Sequence, residues 1–302
     1  MTITHVYFSG GGIKGLCYLG IIRYIYIEKM MKHIRDVAGT SVGAYFALVL
    51  ALQIPLEFLE EQMMLIVENF NLMTPENYLY IDETKFANLL TKNGMLTIEF
   101  LLDPVVKYLE LQYGASDLTF IEFAKKTGIN LYVNSININH IQNVTFCVDE
   151  TPNVSVIDAV KASMSIPFMF EPVLIDGEYY IDGVRDFNDI FKDVDKRCLL
   201  YIILCKTSEE LPSVFEKDSD IPLMRYMGRI MEVVLLKMMV TDDSVNGDHI
   251  LKINEFPYNK FMKFKVADKY MNVELTQENF DNLILKGFID ISNYMQKRLS
   301  DT

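Results

Sequence analysis

The sequence predicts an α/β fold built on a mostly parallel sheet, and three stretches predict it. Residues Thr2–Phe8 are largely β-branched or aromatic and read as a strand. A glycine-rich turn, Ser9–Gly15, follows it and leads into a helix over Leu16–Met31. A second strand, Ile34–Ala38, then runs through Gly39-Thr40-Ser41-Val42-Gly43 into an apolar helix, Ala44–Leu52. Strand, glycine loop, helix, strand, serine turn, helix is the opening of a parallel βαβ sheet. Both turns then sit outside the carboxyl ends of their strands, where ligands bind in such sheets.

The remaining elements follow from periodicity and punctuation. Ile54–Asn71 reads as a helix starting near Pro55, Asp82–Leu90 and Ile98–Leu111 as two more, with Asn93-Gly94 turning between them. Thr119 and Glu122 have capping-box spacing at the start of a helix ending near Thr127. Asn130–Asn137 and Val144–Asp149 alternate as paired strands, and Ser155–Ser163 is a short helix stopped ahead of Pro167. Asp176-Gly177 turns a small hairpin that ends at Asp182-Gly183, and Cys198–Lys206 is apolar enough for a buried strand. Leu211–Pro222 reads as an acidic surface loop and Leu223–Val240 as a Met-rich helix, either core or a lipid-facing stripe. His249–Ile253 and Phe261–Val266 have strand character, and Thr276–Leu299 is helical with an interruption at Gly287.

Composition narrows the function. The 302 residues carry 28 basic and 41 acidic side chains, a net charge of −13, which argues against nucleic-acid binding and against long-range attraction to anionic membranes. Cys17, Cys147, Cys198 and Cys205 are widely spaced with no CxxC, so free buried thiols are expected and no metal site. The start lacks the basic and apolar regions of a standard signal peptide, and the longest apolar stretch, Val42–Leu52, is too short for a bilayer crossing of about 20 residues. A soluble, cytoplasmic or peripherally membrane-associated protein is expected, with no transmembrane segment. No linker divides the chain, so a single domain over 1–302 is expected.

Two turns can carry chemistry. A GxSxG segment between strand and helix holds its serine on a strained elbow, which makes Ser41 a candidate nucleophile. One βα unit earlier, the N–H groups of Gly11 and Gly12 are placed to meet an oxyanion; the loop fits neither GxGxxG nor a nucleotide P-loop. Lys14 in that loop either adds local positive charge or is simply solvated. A serine needs a base. Of the four histidines only His249 is late enough for the Ser, Asp, His order of ordinary α/β-hydrolases, with Asp182 as the acid. Alternatively Asp182 acts as the base itself, provided it is partly desolvated.

The glycine loop, Gly39–Gly43, the run Ala162-Ser163-Met164-Ser165-Ile166-Pro167 and Tyr180-Ile181-Asp182-Gly183, in that order, resemble the patatin-like phospholipase family. The resemblance is strongest over 3–190, with a helical C-terminal part over 223–302. It implies a three-layer α/β/α fold with a central mostly parallel sheet, and a Ser-Asp dyad in place of a triad. Ser41 would be the nucleophile, Asp182 the general base and Gly10, Gly11 and Gly12 the oxyanion hole, supported by Lys14, Gly15, Gly39, Gly43, Gly183 and Asn188. It further implies acyl ester hydrolysis of lipids at a membrane or micelle surface without cofactor or metal, with room for a protein activator. Two positions depart from the family pattern: Val184 stands where glycine or alanine is expected, and Ile190 where proline is common. A silent lipid- or partner-binding module using the 223–240 stripe is the reading of a different class.

Overall fold

A computed structural model describes residues 2–63, 83–183, 190–205, 247–254, 262–265, 270–273 and 276–300. Its centre is an eight-stranded sheet. Five parallel strands form most of it: β1 (His5–Phe8), β2 (Asp36–Thr40), β4 (Asn130–Asn137), β9 (Leu199–Leu204) and β10 (Ile250–Ile253). They are ordered β10-β9-β1-β2-β4. Antiparallel strands complete the β4 side: β5 (Gln142–Phe146) on β4, then β8 (Glu178–Asp182) and β7 (Val173–Ile175). Short parallel strands β3 (Gly94–Leu96) and β6 (Phe168–Phe170) pair separately, as do antiparallel β11 (Met262–Lys265) and β12 (Tyr270–Val273).

The two faces of a strand alternate residue by residue, and the core follows that parity. Val6, Phe8, Val37, Leu200, Ile202 and Leu204 enter a large apolar layer shared with α1 (Cys17–Ile27) and α2 (Val42–Leu52). Tyr7, Ala38, Leu199, Tyr201 and Ile203 point the other way, into a smaller cluster with Phe191. The predicted α/β/α class with a mostly parallel sheet is the observed one. Three helices lie near predicted bounds: α3 (Glu83–Lys92), α4 (Glu99–Tyr113) and α5 (Phe120–Thr127). The capping box at α5 is complete, with Thr119 Oγ1 accepting from the Glu122 N–H and the Glu122 carboxylate from the Thr119 N–H. The short helix before Pro167 is α6 (Val156–Met164).

The C-terminal part is mixed: β10 and β11 fall on the two stretches read as strands, and β12 follows them ahead of the last helix. That helix, α7 (Gln277–Ser300), runs unbroken through Gly287. A Cβ on Gly287 would lie 1.9 Å from the Cys17 carbonyl oxygen, and one on Gly20 would lie 1.9 Å from the Ile284 carbonyl oxygen. The glycine is therefore a contact surface: two helix backbones touch where side chains are missing. At its far end Arg298 donates to the carbonyls of Lys196, Arg197 and Leu199, fixing α7 to the start of β9. Gly287→Ala is expected to cost about 3 kcal/mol or more, because backbone cannot yield as a side chain does. Urea unfolding checks this. The predicted 211–222 loop and the 223–240 stripe lie outside the described residues.

Candidate active site

β2 ends at Thr40 and α2 begins at Val42, so Ser41 alone makes the turn. It does so at φ 55° and ψ −132°, a region that non-glycine residues avoid. The glycines on either side make the elbow sterically possible. A Cβ on Gly39 would lie 2.2 Å from the Gly43 carbonyl oxygen, and one on Gly43 would lie 2.2 Å from that of Phe8.

Asp182 closes β8, which crosses β4 with Ser135 opposite Asp182. This antiparallel return brings the carboxylate to the carboxyl edge of the sheet beside the elbow. Ser41 Oγ donates to Asp182 Oδ2 at 2.6 Å. Burial pushes the Asp182 carboxyl up to about 8, because the charged form loses its water; the Ser41 hydrogen bond pulls in the opposite direction and is outweighed. The Asp182 N–H is held by the Ser165 carbonyl at 2.9 Å.

The glycine loop lies against the same elbow, with a Cβ on Gly10 falling 3.2 Å from Ser41 Cβ. Ser9 anchors the loop: its Oγ accepts from the Leu204 N–H at 3.0 Å and its carbonyl accepts from the Tyr18 hydroxyl at 2.8 Å. Among the described residues, the N–H groups of Gly10, Gly11 and Gly12 have no acceptor. Gly15 packs on Val42, and Gly183 on the Asn134 carbonyl. Lys14 departs from the solvated reading: it is 3% exposed and its Nζ donates to the Cys205 carbonyl at 3.2 Å, tying the loop to the end of β9. Ile190 is half-buried against the smaller core, and Asn188 and Val184 lie outside the described residues.

The His249 triad fails on geometry. His249 precedes Ile250, which is level with Tyr201, Tyr7 and Ala38 across three strand spacings, whereas Ser41 lies beyond Ala38 on the opposite edge. Ordinary strand dimensions put the two about 20 Å apart. His249 instead stacks edge-on against Tyr201 at 5.6 Å, and burial lowers its pKa. His5 pairs with Asp36 and His140 with Glu178, both away from the elbow, and His33 lies ahead of β2. His249→Ala is expected to keep kcat/KM within about threefold of wild type, measured on a short-chain ester.

Ser163, which the sequence offers only as part of the Ala162–Pro167 run, accepts the Ser41 N–H at 2.9 Å. The only local signal was its position four residues ahead of Pro167.

The fold and site together define a class: an α/β protein whose polar centre is a serine and a buried carboxylate at a strand-to-helix elbow. The Patatin family model, described as Patatin-like phospholipase, matches residues 6–191, more than half of the sequence, and the chain belongs to that family. Uncharacterized protein R571 of Acanthamoeba polyphaga mimivirus is 27% identical over 189 residues, covering 62% of this chain and 59% of that protein. Probable lipid hydrolase 463L of Invertebrate iridescent virus 6 is 26% identical over 178 residues, 58% of this chain and 57% of that one. The chain thus spans under two thirds of the length of these relatives. Among solved structures, VipD from Legionella pneumophila shares the fold, with a TM-score of 0.56 at 17% identity over 99% of this chain and 67% of that chain. ExoU in complex with SpcU, from Pseudomonas aeruginosa, gives a TM-score of 0.53 at 17% identity, over 99% and 52%.

Proposed function

We propose that the protein hydrolyses fatty-acyl esters of lipids, phospholipids foremost, through an acyl-serine intermediate. The observation that carries this is the 2.6 Å hydrogen bond from Ser41 Oγ to a buried Asp182 at a strained elbow. Family membership and the name of the iridescent-virus relative support a lipid as substrate.

Asp182 takes the Ser41 proton as Oγ attacks the acyl carbonyl. The unpaired N–H groups of Gly10, Gly11 and Gly12 receive the negative oxygen that develops, and the departing alcohol takes the proton back from Asp182. Water then attacks the acyl-serine with Asp182 again as base, releasing the fatty acid and restoring Ser41. Among the described residues no helix is long and apolar enough to cross a membrane. In this reading the lipid is met at a membrane or micelle surface. Incubation with phosphatidylcholine vesicles, followed by mass analysis, should yield free fatty acid and lysophospholipid from the wild type. Equal product from Ser41→Ala sinks the reading.

A further inference from the structure

Ser41 occupies backbone space that costs a non-glycine residue on the order of 1–3 kcal/mol and persists only where the surroundings over-determine it. One of those surroundings is unusual in its economy. The Ser41 N–H donates to Ser163 Oγ at 2.9 Å, and the same hydroxyl donates to the Asn134 carbonyl at 2.5 Å. A serine hydroxyl has one proton and two lone pairs. With the proton committed to Asn134, the oxygen faces the Ser41 N–H in one fixed orientation, and Ser163 is 0% exposed, so water does not compete. The Asn134 carbonyl is also the surface on which Gly183 rests, 2.5 Å from where a Cβ would stand. Two residues past Ser163, the Ser165 carbonyl holds the Asp182 N–H. One turn at the end of α6 is therefore bonded to the backbone of both Ser41 and Asp182.

We propose that Ser163 is a positioning residue of the reaction: its hydroxyl, bridging the Ser41 N–H and the Asn134 carbonyl, keeps the elbow strained and Ser41 Oγ within reach of Asp182. This rests on Ser41 being the nucleophile. Without the bridge, a buried N–H and a buried carbonyl lose their partners together, and the elbow relaxes toward an unstrained turn. The hydroxyl of Ser41 then drifts from the carboxylate. Binding of the ester, which does not use Ser163, is unchanged.

The test measures kcat and KM on a soluble short-chain ester across pH for wild type, Ser163→Ala and Ser163→Cys, with Ser41→Ala as the blank. Ser163→Ala should lower kcat by about 10- to 100-fold with KM within about threefold. Its rising pH limb should also move to higher pH, since a weakened Ser41 hydrogen bond no longer holds the Asp182 pKa down. Ser163→Cys is close in volume and offers only a weak S–H donor, so it should show the same changes at smaller size. If the alanine variant does not fold, the cysteine variant decides. A folded variant with wild-type kcat and an unmoved limb overturns the proposal, even if its melting temperature has fallen. Turnover retained by Ser41→Ala would instead remove the nucleophile, and the positioning role with it.

Discussion

Ser41→Ala is expected to lower kcat/KM toward a short-chain ester by about 10⁴-fold or more, with the fold intact. The size of the loss follows from the role proposed for the hydroxyl: it would be the atom that forms the bond to the acyl carbon. Ser163 is the nearest serine by hydrogen bonding, and its proton is already committed to Asn134. The surviving rate would be that of a water molecule placed before the glycine-loop N–H groups. Because Ser41 sits at φ 55°, the alanine variant keeps the same backbone strain, so its stability should change little. Labelling by a fluorophosphonate should vanish in parallel; labelling that persists would mean a different nucleophile.

Asp182→Asn should cost a similar amount, about 10⁴-fold, and should stabilise the protein. The sign comes from burial. The carboxyl ionises near 3.8 when exposed and near 8 in the fold, so between those values the native state holds a proton that the unfolded chain has released. Stability is therefore complete below about 4 and falls as pH rises toward 8, at roughly 1.4 kcal/mol per pH unit at most. Asparagine has no proton to lose. Its advantage over wild type should be absent near pH 4, grow to several kcal/mol by pH 8 and then level off, as read by urea unfolding. The same ionisation makes wild-type kcat/KM rise through about pH 8, since only the carboxylate can take the Ser41 proton. An advantage over wild type that is no larger at pH 8 than at pH 4 would show that the carboxylate is solvated in the free protein.

What was legible in the sequence shares one property: the residues that explain a feature lie next to it. The elbow could be read because Gly39, Ser41 and Gly43 occupy five consecutive positions, and the α5 cap because Thr119 and Glu122 are three apart. Asp182 stood out through its place after a strand. Features whose cause lies far along the chain were hidden. Gly287 looks like a helix breaker until Cys17 is seen against it, and Lys14 looks solvated until the Cys205 carbonyl is placed over its amine. His249 fits the order of a triad, and only strand register shows it to be at the wrong edge. The short pair β3 and β6 was missed for want of length, three residues being too few for an alternation to show. The role of Ser163 needed the positions of Ser41 and Asn134 together.

The contact of Gly20 with Ile284 also has a meaning in time. The two residues are roughly 260 positions apart, a separation that adds little closure entropy beyond that of a medium loop. It does, however, fix an order of events, because a chain emerges from its amino end. α1, and the glycine turn that feeds directly into it, are made early and wait with a notch shaped for a backbone still to be synthesised. α7 fills that notch when it arrives, backbone against backbone at Gly20 and Gly287. A chain cut short before Ile284 would leave α1 with that notch unfilled, so the packing behind the helix that follows the glycine turn depends on residues synthesised long after it.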